Sequence, residues 1–322
     1  MAKVTIALIG VGAMTQRVHL PSLASFDDVH IASACDLDTE RLAAVADRYG
    51  IEGRYTDYRT MVDETAPDAV YVVGQPHLMY DIWVWCLQRG LNLYVEKPLG
   101  LSWHQAQMLT SLAEHHGVVT QVSHQRRTSP LLSKMREACL ARGPIVHAVC
   151  EFYKADRRML TSPRDRMLDD GVHAIDTLRW ICGGEVVEID SRCRRVGVPD
   201  INWFTATLHF STGATGIVVC NWASGRRVFR VEMHADGIAC DADPEGRAYL
   251  YADNQPDGTA YDSTVVAGSD DLHVYGGFRQ KNREFIDSLA TGTDTTSSPF
   301  RDALKTMEVA EKILARAVLD GD

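Results

Sequence analysis

Val4-Thr5-Ile6-Ala7-Leu8-Ile9 runs straight into Gly10-Val11-Gly12-Ala13-Met14-Thr15, and that junction constrains the fold more than any other stretch. A continuous apolar run of this length, bounded by a turn, reads as a strand buried on both faces, which belongs in a parallel sheet. The glycines behind it supply the turn into a helix. The alternation then repeats. Strands are expected at 30–35, 69–73, 91–95 and 118–122, and helices at 13–26, 39–49, 58–64, 79–89 and 102–116. Strands separated by helices mean βαβ units and one parallel sheet. Pro21 predicts that the first helix is short or kinked.

Near residue 124 the pattern changes. A helix at 129–141 leads to Gly143-Pro144, a strand at 145–153 and an amphipathic helix at 168–181 that stops at Gly183-Gly184. Strands follow at 186–196, 203–210, 215–222, 228–234 and 248–251 with no helix between them. Consecutive strands predict a mostly antiparallel sheet with one open face, and an uncovered face calls for a partner. Residues 253–262 read as an exposed loop, and helices at 276–290 and 298–319 end the chain. The expected fold class is therefore α/β. Residues 1–123 form a doubly wound parallel sheet. Residues 124–322 form an α+β domain with a mostly antiparallel, open-faced sheet. The last helix, 298–319, is placed to pack back on the first domain.

The chain has 322 residues and a formal charge of −10, which argues against nucleic acid as a partner. Charge is uneven: −6 over 1–123, +6 over 124–230 and −10 over 231–322. The basic middle either favours an anionic substrate through local potential or is a set of solvated arginines. Eight cysteines stand singly with no CxxC pair, and the first strand starts almost at once with no signal peptide, so a cytoplasmic location with reduced thiols is expected. No run is apolar enough to cross a bilayer, and no histidine cluster has metal-ligand spacing. The single-chain open face predicts a homodimer or homotetramer.

Gly10-x-Gly12 after a strand and before a helix is the turn that brings backbone N–H groups to a dinucleotide pyrophosphate, with Ala13 and Met14 at the helix start. Thr15 stands where a third glycine or alanine is usual, which predicts a slightly wider spacing of helix and strand. Asp36 ends the second strand, where a carboxylate accepts from the adenosine ribose hydroxyls. It would repel a 2′-phosphate, and no arginine follows at once, so NAD is expected, with NADP the alternative. Asp36 could instead cap the helix starting near Thr39.

Glu96-Lys97-Pro98 follows the apolar run 91–95, and Asp169-x-x-x-His173-x-x-Asp176 lies on the helix 168–181. Together with the glycine turn, these resemble the glucose–fructose oxidoreductase / inositol dehydrogenase family (Gfo/Idh/MocA) over essentially the whole chain. The resemblance implies an NAD(P)-dependent oxidoreductase of a sugar, sugar acid, polyol or cyclitol, with a Rossmann domain at 1–123 and a substrate and oligomerisation domain at 124–322. It implies catalytic roles for Lys97, Asp169 and His173, and cofactor contacts by Glu96 and Lys97. Gln75-Pro76-His77 resembles the family's turn beside the nicotinamide ribose, although Tyr80 replaces the histidine often found four residues after that proline. Arg126, in Gln125-Arg126-Arg127, matches a junction arginine that reaches the cofactor, or forms an interdomain salt bridge. Arg157, Arg158, Arg164 and Arg166 precede the Asp169 helix and raise the expectation of an acidic or phosphorylated sugar.

Positions four apart share a helix face, so Asp169 and His173 point the same way. Histidine, which titrates near neutrality, suits the proton step of alcohol oxidation, and Lys97 suits stabilising charge on the substrate oxygen. An NAD-retaining glycosidase that works by transient oxidation uses the same residues. A nucleotide-sensing regulator on this fold would need none of them.

Overall fold

The computed structural model describes residues 3–156, 158 and 166–319, with side chains to 316. The chain divides into two compact units, 1–125 with 272–304, and 126–271 with 305–322.

The first unit is built on six parallel strands, β1 Val4–Ile9, β2 Val29–Cys35, β3 Gly53–Tyr55, β4 Ala69–Val72, β5 Asn92–Val95 and β6 Thr120–Val122, in the order β3-β2-β1-β4-β5-β6. This is the doubly wound sheet the sequence predicts. Its central strands are buried along their whole length, as a sheet covered on both faces requires. The core joins Ile6, Leu8, Val45, Tyr71 and Tyr94 to Phe285 and Ile286, from the helix Phe278–Thr291. The strand order reverses between β1 and β4. Ligands of open parallel sheets lie at the carboxyl ends of the strands beside that reversal.

Two local features matter for the site. The first helix, 13–24, winds as a π-helix over Thr15–His19, just ahead of Pro21. Proline has no N–H to return to the preceding turn, and a widened turn is one way to absorb that loss. The helix expected at 79–89 starts earlier, at Pro76. Pro76 occupies the first helical position, where its missing N–H costs nothing and its fixed φ already fits the helix.

The second unit carries eight strands: β7 His147–Ala155, β8 Val186–Arg194, β9 Trp203–Phe210, β10 Thr215–Asn221, β11 Ala223–Ala235, β12 Ile238–Ala242, β13 Arg247–Ala252 and β14 Thr259–Asp262. Their order is β14-β13-β12-β11-β7-β10-β9-β8, and every pairing is antiparallel except β7 with β10. Strands β7, β9 and β10 alternate buried and half-buried residues, so one face is covered and the other stays open. The helix Val172–Cys182 packs on β7 and β10, covering one face. The region 253–262 is not all loop, since β14 pairs with β13 there.

Candidate active site

In the first unit the glycine turn is closed by its own polar groups. Gly10 has φ +87°, and a Cβ there would lie 2.1 Å from the Val73 carbonyl oxygen, so only glycine fits. A Cβ on Gly12 would meet nothing within 4 Å, so this backbone faces open space, the cradle a pyrophosphate needs. Ala13 and Met14 are exposed beside it. Thr15 does more than space the helix: its hydroxyl, fully buried, donates to the Gly10 carbonyl at 2.7 Å.

Asp36 is tied to the same turn. Its Oδ2 accepts from Val11 N at 2.8 Å, and its Oδ1 accepts from Asp38 N at 2.9 Å and Arg41 Nη2 at 2.6 Å. Burial raises the Asp36 carboxyl, but the Arg41 hydrogen bond and the two backbone donors hold it below the usual carboxylate range. It does not cap the following helix; Asp38 does, accepting from Arg41 N. An arginine therefore does reach this carboxylate. It stands five residues on, in the first turn of the following helix, not directly after the aspartate.

Gln75 is exposed at the helix cap, Pro76 is buried, and His77 is half-buried in the first turn. His77 Nδ1 is buried without a hydrogen-bond partner among the described residues. Glu96 and Lys97 extend β5 at the carboxyl edge that also holds the glycine turn of β1, Asp36 of β2 and Gln75-Pro76 of β4. Glu96 is buried against His19, with His19 Nε2 to Glu96 Oε1 at 2.8 Å and His19 fully enclosed. Burial raises the Glu96 carboxyl, and the His19 hydrogen bond, His19 and Lys97 more than offset it, leaving the group below its ordinary value. Lys97 itself is half-exposed.

In the second unit a π-helical turn, Met167–Gly171, opens the helix Val172–Cys182. From residue 166 to residue 179 every side chain is buried except two, Asp169 and His173. The sequence expectation that these two share a face thus acquires content: they are the pair this helix presents. Asp176 does something else. It accepts a bidentate pair from Arg127, Nε at 2.8 Å and Nη2 at 2.6 Å, and a hydrogen bond from Thr306 at 3.0 Å, all buried. It locks the helix to its own unit.

Arg126 pairs with Glu245 at 2.7 Å and lies 4.4 Å from the Phe229 ring centre. Arg227 meets the same carboxylate at 3.4 Å. Arg166 is buried on Asp200 at 2.8 Å, and Arg158 is paired with Asp156 at 3.0 Å. Arg157 and Arg164 lie outside the described residues. The basic middle of the sequence thus meets the acidic segment after it inside one unit, through Arg126–Glu245 and Arg230–Asp241. Glu245 carries no spacing signal that ties it to Arg126, 119 residues away. Among the described residues no group of three or more histidine, cysteine, aspartate or glutamate side chains is arranged to hold a metal. No described helix is long and apolar enough to cross a membrane.

These features are those of a dinucleotide site on a parallel sheet and a polar pair on a helix of a second unit. The family model for an oxidoreductase family with an NAD-binding Rossmann fold (GFO_IDH_MocA) matches residues 4–124, and that for the GFO/IDH/MocA C-terminal domain matches residues 145–237. The chain belongs to the GFO/IDH/MocA family. It is an NAD-binding oxidoreductase. It is 26% identical over 332 residues to D-apiose dehydrogenase of Paraburkholderia graminis, covering 95% of this chain and 85% of that one. It is 24% identical over 230 residues to myo-inositol 2-dehydrogenase of Thermotoga maritima, covering 66% and 67%. A dehydrogenase structure from Chromobacterium violaceum superimposes with a TM-score of 0.90 at 22% identity, covering 100% of this chain and 97% of that one, which establishes the shared fold.

Proposed function

We propose that this oxidoreductase interconverts a hydroxyl and a carbonyl on a sugar, sugar acid, polyol or cyclitol with NAD, and that Lys97, His173 and Asp169 carry the chemistry. The single observation behind this reading is the exposure of Asp169 and His173 alone on an otherwise buried helix segment. Side chains left accessible where all their neighbours are buried are the ones able to meet a substrate. The relatives act in the same sense: their names specify dehydrogenation of D-apiose and of myo-inositol.

Bound NAD supplies the hydride acceptor. The protein's own groups do the rest. Gly10, Gly12, Ala13 and Met14 receive the pyrophosphate, and Asp36 accepts from the adenosine ribose. Gln75, Pro76, His77 and Glu96 shape the nicotinamide end, and Arg126 is a further cofactor contact inherited from the family pattern. Lys97 donates to the substrate oxygen and stabilises negative charge as the O–H proton leaves. His173 takes that proton, and returns it in the reverse direction. Asp169 orients His173 or accepts from a neighbouring substrate hydroxyl.

The test is nicotinamide absorbance on the full chain with NAD and a panel of aldoses, uronates, inositols and aryl glycosides. NADH accumulation with a free sugar or polyol is the expected result. Lys97→Ala should lower turnover roughly 100- to 10,000-fold while the Kd for NAD changes less than about threefold. Retention of most activity in Lys97→Ala would refute the assigned roles. Cleavage of aryl glycosides without NADH would refute net dehydrogenation.

A further inference from the structure

Asp170 stands beside Asp169 in the π-helical turn, and the mechanism above does not use it. It is a buried carboxylate, 8% exposed, with both oxygens engaged by groups from the sheet. Oδ2 accepts from the indole Nε1 of Trp222 at 2.9 Å, and Oδ1 accepts from Nζ of Lys154 at 2.7 Å. Trp222 is fully enclosed. Lys154 is not: its side chain is 31% exposed and its ammonium lies 5.2 Å from the centre of the Phe152 ring. The same ring lies 6.5 Å from the ring of His173. Lys154, Phe152, His173 and Asp170 therefore form one cluster within the second unit, with Phe152 itself buried.

The chemistry of that cluster is specific. An ammonium has three N–H donors, and the Lys154 ammonium lies 2.7 Å from both Asp170 oxygens, a contact that engages two donors at most. At least one remains for an oxygen outside, with the ammonium held by the carboxylate. The cluster carries no net charge of its own, because Asp170 neutralises Lys154. Among the described residues, other cations of this unit are paired as well: Arg127 with Asp176, Arg126 and Arg227 with Glu245, Arg166 with Asp200 and Arg158 with Asp156, while Arg157 and Arg164 lie outside the described residues. A carboxylate or phosphate on the substrate would have to compete with a carboxylate already held at 2.7 Å. A neutral hydroxyl would not, since it accepts from the ammonium without displacing anything.

We infer that Lys154, held by Asp170 and Trp222, is a substrate-binding residue that receives a hydroxyl other than the reacting one, and that it selects neutral polyhydroxy compounds over their acidic and phosphorylated counterparts. This rests on the dehydrogenase reading above and narrows its substrate class. Asp170 is the element that sets the selection, because removing its charge would leave Lys154 with an uncompensated positive charge.

Steady-state kinetics on the holoenzyme decides the matter, with a paired panel of aldoses and cyclitols against the corresponding uronates and sugar phosphates. The wild type should prefer the neutral member of each pair by about tenfold or more in kcat/KM. Lys154→Met should raise KM for the neutral substrate roughly 10- to 100-fold, with kcat changed less than about threefold and KM for NAD unmoved. Asp170→Asn preserves the shape of the side chain and an acceptor for Trp222, and should shift the acid-to-neutral ratio at least about tenfold toward the acid. A purely structural role would lower activity on both members alike and leave that ratio unchanged. A wild-type preference for the acidic member, or a Lys154→Met variant with unchanged KM, overturns this inference alone. Failure of every member, neutral and acidic, to yield NADH overturns the dehydrogenase reading and this inference together.

Discussion

Replacing His19 by alanine should destabilise the first unit by an amount set by one buried contact. His19 lies in the π-helical turn behind the glycine loop, fully enclosed, with Nε2 2.8 Å from Glu96 Oε1. Asn282 Nδ2 approaches Nδ1 at 3.4 Å from the helix Phe278–Thr291, which leaves Nε2 as the nitrogen carrying the proton toward the carboxylate. Alanine removes the principal donor to a buried charge. Leaving a buried charged group without its partner costs about 3 kcal/mol. At about 2–4 °C per kcal/mol, the melting transition should fall by roughly 6–12 °C at pH 7.5. The pH dependence separates this cause from a simple packing defect. Glu96 has a lowered carboxyl pKa in the folded protein, so the stability it contributes is present above the unfolded carboxyl value, about 4.3, and is lost as pH falls through the folded value. In the variant the donor is gone, burial dominates, and the carboxyl takes up a proton at higher pH. The wild-type advantage should therefore be largest above about pH 5 and shrink below about pH 4. His19→Gln, which keeps a donor, should recover about half of the loss. Differential scanning calorimetry across pH 4 to 8 reads all three proteins. A shift below about 2 °C at pH 7.5, or one that does not change with pH, would refute the argument.

Two further predictions concern the dinucleotide site. Gly10→Ala places a Cβ 2.1 Å from the Val73 carbonyl oxygen at φ +87°, so the turn must move, and the Kd for NAD read by fluorescence titration should rise roughly 10- to 100-fold. An unchanged Kd would mean that this turn does not hold the pyrophosphate. Asp36→Ser removes the carboxylate proposed to repel a 2′-phosphate and leaves Arg41 held by Asp38 alone, at 3.0 Å, so the preference for NAD over NADP should fall at least about tenfold in kcat/KM. Adding Arg41→Ala should reverse that gain, and a double variant equal to Asp36→Ser would show that Arg41 takes no part.

The parallel sheet was legible because its central strands are apolar without interruption, and burial on both faces leaves no other use for such runs. β1 begins and ends where its composition says, and the strands at 203–210 and 39–49's helix do likewise. β12, an interior strand between β11 and β13, was not expected, and the rest of what escaped is short, peripheral or polar. β3 has three residues beyond β2, with Arg54 exposed at its centre. β14 lies in a stretch of aspartate, glycine and tyrosine, and its partner β13 alone makes it a strand. Edge strands owe their form to the neighbour they pair with, which local composition does not record. The first helix turn at Pro76 was hidden for the opposite reason: proline reads as a turn, although at the first helical position it is a start signal.

The site shows a sharper division. The proposed roles of Lys97, Asp169 and His173 rest on an order and spacing that repeat a pattern, and four residues on a helix bring two of them to one face. Their partners are not legible. His19 and Glu96 are 77 residues apart, Lys154 and Asp170 16 apart on different elements, and only the fold joins them. Thr15 and Asp170 are informative for that reason. Thr15, in place of a small residue, is buried with its hydroxyl on the Gly10 carbonyl, so the glycine turn gains a hydrogen bond that glycine or alanine could not make. Asp170 puts a charge in an otherwise buried helix segment, and a buried carboxylate persists only when it is partnered. Its partners are an enclosed indole and a half-exposed ammonium that lies near the same Phe152 ring as His173. The indole alone would satisfy one oxygen. The lysine is the partner that reaches solvent, so the cost of burying Asp170 is tied to holding a partly exposed cation in the unit that carries the proposed base. A neutral residue at 170 would release that cation, and the selectivity of the enzyme, more than its stability, should register the change.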